Sequence, residues 1–365
     1  MNKTVISKKQ AIALIILFLT ADTFIFAIAA SAKKDFWIAI LLTFAFISIF
    51  SLLFMYIHKL FPDKSLFDIN FLLFGRIIGR LINFIFVAFV FFNGLSVLRA
   101  FGEFINTIGF PETPMSIPMI FIIILSIWIS KDGIEVIGRY GELMLKPIIF
   151  LIIISILFLI PKMQIANLQP MFQTDLYSLL KATANTIAFP YGEIITLFAI
   201  FSYSSCRNFS KGVYIKGILG ATLFILVNSL TIILVGGVTT YTTRYFPSYE
   251  VVGRINIGNF LQRLEIIISI SFILAGFLKI AICLYVVSRG VSKIVNLNKN
   301  NSLVTPLGLL MLSSSLFVYT DITHLFEWGG KYWTIFFLPF EIILPIAVLL
   351  TAKVKGIKPS NNLTK

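Results

Sequence analysis

Apolar blocks of about twenty residues, separated by short polar stretches, run along the whole chain. Twenty residues is the length an α-helix needs to cross a bilayer core of about 30 Å. The pattern predicts ten spans: 10–32, 36–58, 77–101, 115–131, 142–160, 176–203, 212–237, 261–287, 304–320 and 332–352. Residues 64–75 (KSLFDINFLLFG) are apolar but too short to cross, and are expected along the membrane surface before the third span. The longest polar excursion, 238–260, is expected to hold a short surface helix, with Gly258 as a break before the eighth span. The fold class is all-α integral membrane: one transmembrane domain over 1–352 and a basic cytoplasmic tail over 353–365.

Composition supports this reading. Hydrophobic residues make up 58% of the 365 positions and charged residues 13%, about half the share of a soluble domain. Mean hydropathy is +0.96. The net charge of +14 does not indicate nucleic acid, because the cations lie in short loops between apolar blocks. With the N-terminus cytoplasmic, twenty of the thirty Lys and Arg fall on the cytoplasmic side, nine on the other, and Lys279 within a span. The positive-inside rule then places both termini in the cytoplasm. The run 11–32 is too long for a signal-peptide core and contains Asp22, so it is expected to remain as the first helix. Two cysteines, Cys206 and Cys283, and two histidines, His58 and His324, form no metal-ligand pattern. The sequence predicts no metal, no cofactor and no catalytic residue. Asn362-Leu363-Thr364 matches a glycosylation sequon but falls on the cytoplasmic side.

Ionisable groups deep in a membrane are costly, so each is a functional candidate. Asp22 lies mid-span with Thr20 and Thr23, and is either a satisfied structural carboxylate or a ligand. Glu193 closes the segment AFPYGE (188–193), where Pro190 removes a backbone donor and Gly192 adds freedom. That is either an ordinary proline kink or a helix break lining a cavity. Lys279, in the eighth span, needs a partner, and Asp22 is the first candidate; the pair is structural or coupled to ion or proton movement. Glu341 lies mid-span between Pro339 and Pro345, facing either the same cavity or a partner subunit. Arg99 and Glu103, one turn apart, read as a membrane-interface pair. Asp22 and Pro190 fall in the first and sixth spans. If the chain is two five-helix halves of opposite topology, these interruptions match, which points to a central ligand site.

Six segments, in order, carry a family resemblance: LRAFGEFINTIGFPETP (98–114), GIEVIGRYGELMLKP (133–147), AFPYGE (188–193), IGNFLQRLE (257–265), GFLKIAICLY (276–285) and KYWTIFFLP (331–339). The chain resembles the spore germination permeases, the integral-membrane B subunits of nutrient germinant receptors within the amino acid–polyamine–organocation superfamily. The resemblance implies a five-plus-five inverted repeat with helices 1 and 6 broken around a ligand pocket. It implies partners, an A-type membrane subunit and a C-type lipoprotein, and a place in the inner spore membrane with both termini on the core side. Pro190, Tyr191, Gly192 and Glu193 match the family's helix-6 motif, and Lys279 its helix-8 lysine. Span 1 departs: the family has a glycine-containing break followed by a proline, whereas this chain reads ADTFIFAIAA.

The ligand-binding residues expected are Asp22, Thr23 and Phe24 on span 1, Asn93, Ser96 and Val97 on span 3, Phe189 to Glu193 on span 6, and Ser271 and Ala275 on span 8. Lys279, Asp22 and Glu193 are the ion- or proton-coupling set. The leading expectation is a sensor of a small nutrient, an amino acid foremost. The alternatives are a proton-coupled amino acid transporter and a gated ion or water conduit. No spacing assembles an enzyme's nucleophile, base and metal.

Overall fold

A computed structural model describes residues 6–201, 212–255, 263–297 and 301–359. Cys206, Gly258 and the Asn362–Thr364 sequon lie outside the described residues. Those described form helices and connections with no strand.

Local chemistry sets the helix starts. Ser7 opens α1 (Lys8–Thr20) as a capping box, its hydroxyl accepting from Gln10 N at 3.1 Å while Ser7 N donates to Gln10 Oε1 at 2.9 Å. Two short 3₁₀ turns, Ala21–Phe24 and Ala30–Asp35, lead to α2 (Phe36–Leu60). Ser65 and Asp68 repeat the capping box at the head of α3 (Leu66–Ile108). α3 includes the segment expected to lie apart before the third span. The two are joined at Gly75, whose φ of +78° departs from helical backbone and suits glycine.

α4 (Ser116–Asp132) and α5 (Ile134–Leu159) are separated only by Gly133 at φ +95°. The fifth span therefore begins eight residues earlier than the hydropathy pattern predicts. α6 (Leu176–Thr186), a π-turn (Ile187–Tyr191) and α7 (Ile194–Phe201) form a broken sixth segment. α8 is Gly212–Thr243, and the expected short helix in the polar excursion is α9 (Pro247–Gly253). α10 (Ile266–Val295) and α11 (Asn301–Phe317) follow. Then come α12 (Ile322–Lys331), α13 (Trp333–Leu338), a second π-turn (Pro339–Ile343) and α14 (Leu344–Val354).

Among the described residues, seven helical stretches are long and apolar enough to cross a membrane, and α11 with α12, bent by 98°, would make an eighth. The other two expected spans correspond to α1, 13 residues before its break, and α4, 17 residues. At helical rise α4 is about 25 Å long.

α10 is the central helix, packing on α1, α3, α4, α5 and α11. Leu278 to Ser288 are all buried, the signature of a helix surrounded by protein. Its neighbour α5 instead leaves Phe150, Ile153 and Leu157 exposed. On a chain this apolar, such a face suits lipid.

Arg99 pairs with Glu103 at 2.7 Å, as the one-turn spacing predicts, and the arginine is 3% exposed, packed against other helices. Its guanidinium also donates to the carbonyls of Ser315, Leu316 and Thr320 at 3.2–3.3 Å. Ser315 and Leu316 belong to the end of α11, whose last carbonyls have no helical partner, and Thr320 lies in the connection to α12. Arg99 thus caps α11 and braces the sharp corner to α12.

The close approach of residues 67–83 generates a prediction. Asn70 Nδ2 donates to Asn83 Oδ1 at 2.8 Å, Asn83 Nδ2 donates to Phe67 O at 3.1 Å, and a Cβ on Gly79 would sit 2.7 Å from the Asn70 carbonyl. Gly79→Ala is expected to destabilise the purified protein by about 1–3 kcal/mol, read as a lower melting temperature. Gly329→Ala, which meets nothing within 4 Å, should melt like the parent chain.

Candidate functional site

Two helices are broken, and one lysine joins the breaks. In the first, α1 stops at Thr20, continues as the Ala21–Phe24 3₁₀ turn, and is irregular to Ala29, which has φ +59°. Neither glycine nor proline causes this. Thr20 Oγ1 bonds the Ile16 carbonyl and Thr23 Oγ1 the Thr20 carbonyl, both at 2.8 Å. Side chains of α8 meet carbonyls that the break releases: Asn228 Nδ2 donates to Thr23 O at 2.9 Å, and the Tyr241 hydroxyl donates to Ile28 O. In the second, Phe189 leaves helical backbone (φ −144°, ψ 119°) just before Pro190, and Gly192 N donates to Ile187 O at 2.6 Å.

Lys279 projects from α10 between them. Its ammonium donates to Asp22 Oδ2 in the first break and to Glu193 Oε2 in the second. All three side chains are buried. The ring faces of Phe18 and Phe189 lie 5.2 and 5.4 Å from the Lys279 nitrogen, close enough for a cation–π attraction. The expected Asp22 partnership is therefore present, and Glu193 shares the same cation.

A cavity of about 540 Å³ opens beside this ion pair. Of the residues expected to bind a ligand, Asp22, Ser96, Val97 and Phe189 line it. Thr23, Phe24, Asn93, Pro190, Tyr191, Gly192, Glu193, Ser271 and Ala275 are buried outside that lining. Phe24 packs edge-on against Phe224, the Tyr191 hydroxyl donates to Thr222 Oγ1 at 2.9 Å, and Ser271 Oγ bonds the Ile267 carbonyl of its own helix at 2.8 Å. Asn93 is fully buried with its amide beside the Glu193 carboxylate. Glu341, in the second π-turn, lies against Gly192, so the four carboxylate and ammonium groups singled out in the sequence form one cluster.

Sequence reasoning missed most of the cavity wall. Phe26 from the first break, Tyr241 from α8, Phe326 from α12, and Trp333 and Thr334 from α13 all line it. The last two lie in KYWTIFFLP, noted above only for its resemblance. The polar lining includes Lys181, Asn185 and Arg244. The space is thus apolar and aromatic, with a few polar groups and one carboxylate that is already engaged, the usual character of a small-molecule site.

A family model described as spore germination protein matches residues 5–322. The chain is similar to spore germination protein KB of Bacillus subtilis (strain 168), 27% identical over 359 residues, covering 96% of this chain and 95% of that protein. It is also similar to spore germination protein B2 of the same organism, 22% identical over 309 residues and covering 82% of each.

The shared cation generates a prediction. Lys279→Met leaves two carboxylates buried without a counter-charge, which is expected to cost about 3–5 kcal/mol as a lower melting temperature. Adding Asp22→Asn and Glu193→Gln removes those charges and should recover much of the loss. A single Lys279→Met variant melting like the parent chain would refute the assignment.

Proposed function

Because the chain belongs to the spore germination protein family, we propose that it is the membrane subunit of a spore nutrient germinant receptor, binding a small nutrient in the cavity between its two broken helices. The observation that carries this reading is the cavity's position: it reaches Asp22 in the first break and Phe189 in the second. A molecule there touches both helix breaks at once. It shifts the bundle only as far as it binds one arrangement better than another.

An amino acid suits the lining. Asp22 offers a carboxylate to an ammonium group, Phe26, Trp333 and Phe326 offer apolar walls, and Lys181 and Arg244 offer positive charge to a carboxylate. The chain reports the shift to A-type and C-type receptor subunits in the inner spore membrane. The Lys and Arg bias supports both termini on the core side. The two breaks are read as matching points of two inverted five-helix halves.

A second reading is a proton-coupled amino acid transporter, favoured by the buried Lys279–Asp22–Glu193 cluster between the breaks. The two separate by partner dependence: a receptor subunit needs its co-expressed partners, whereas a transporter accumulates labelled substrate alone in proteoliposomes.

The test is germination of spores lacking the gene and complemented with variants, screened against single amino acids, sugars and nucleosides. Ala100→Trp fills the cavity wall and is expected to raise the half-maximal nutrient concentration about tenfold or more. Leu223→Trp, on an exposed face of α8, should respond like the parent chain. An unchanged nutrient response in Ala100→Trp spores with normal protein levels would overturn the proposal.

A further inference from the structure

Glu341 is 2% exposed, and neither carboxylate oxygen has a hydrogen-bond partner. It sits in the π-turn that interrupts the last helix, directly against the break in the sixth segment. A Cβ on Gly192 would overlap its carboxylate, so the glycine is what lets the two turns meet. Two further buried polar groups stand nearby: the Asn93 amide lies beside Glu193, and Thr196 Oγ1, one turn along from Glu193, lacks a hydrogen-bond partner.

The charges do not balance. Asp22, Glu193 and Glu341 face a single buried cation, Lys279, which contacts the first two through one oxygen each and Glu341 not at all. The charged groups that face Glu341 are Glu193, on the turn before α7, and Lys279, on α10, with Asp22 beyond the lysine. α7 and α13, which pack on its turn, carry no charge, and the one on α14 is Lys353 at its far end. With every carboxylate ionised, the cluster would hold two uncompensated negative charges on buried side chains. A bare buried carboxylate costs far more than a neutral acid.

We propose that Glu341 is a proton-binding site of this protein, holding one exchangeable proton at the meeting point of the two interrupted helices. Its release breaks the carboxyl O–H bond, leaves the electron pair on Glu341 and passes the proton to solvent. The new carboxylate then competes for the Lys279 ammonium, drawing it from Asp22 and freeing a carboxylate on the cavity wall. The site is independent of any nutrient, because it rests on burial, packing and charge alone.

Difference infrared spectroscopy of the purified full-length protein in lipid nanodiscs, between acidic and alkaline buffer, reads the proton directly. The C=O stretch of a buried protonated carboxylic acid is expected at acidic pH and lost on raising it. Glu341→Gln should abolish that band, and Glu341→Asp, which keeps a carboxyl group if the glutamine variant fails to fold, should shift it. A band unchanged in both variants would overturn the proposal. So would its loss at constant acidic pH on adding sodium or potassium, which would make the site one for a metal cation.

Discussion

The fold turns on the ammonium of Lys279. Two helices that are each interrupted would have little reason to keep their broken ends together. Each break exposes backbone groups and gives up helical hydrogen bonds in a place where water cannot compensate. One cation held by a carboxylate from each break ties them to the central helix α10. That interaction is two-sided. Formed, it neutralises charges that could not otherwise be buried. Lost on one side, it leaves a charge with no alternative partner. The two breaks and the central helix are therefore held by one interaction rather than by several independent ones.

Legibility in the sequence followed the strength of the physical signal. The sixth-segment break was readable because Pro190 and Gly192 mark it locally. The Asp22 partner of Lys279 was readable because a lysine and an aspartate inside apolar blocks have few other places to go, whereas the share that Glu193 takes was not. The first break carries no local mark. Asn228 and Tyr241, some 200 residues away in sequence, take its carbonyls, and that tertiary rescue leaves no trace in ADTFIFAIAA. The buried role of Arg99 was hidden for a related reason. A charge near the end of an apolar block reads as interfacial, until α11 is found ending against it. The fold class was legible throughout, whereas the depth of single side chains was not.

The cavity and the cluster divide the work. The cavity wall combines aromatic side chains, among them Phe26, Phe189, Phe326 and Trp333, with small and polar ones, while the cluster behind it is charged and closed. Glu341 links the cluster to the last helix, so both interrupted turns and the final helix share one electrostatic state.

The 98° corner after α11 has a consequence for how the cavity wall is held. Beyond it, the short helices α12 and α13 contribute Leu325, Phe326, Gly329, Gly330, Trp333 and Thr334 to one side of the cavity, all past the last residue that the family model matches. α13 runs directly into the turn that carries Glu341, and Trp333 packs on the Phe189 ring that faces Lys279. The corner that Arg99 holds therefore fixes one wall of the cavity and, through a single aromatic contact, joins that wall to the charged cluster beneath.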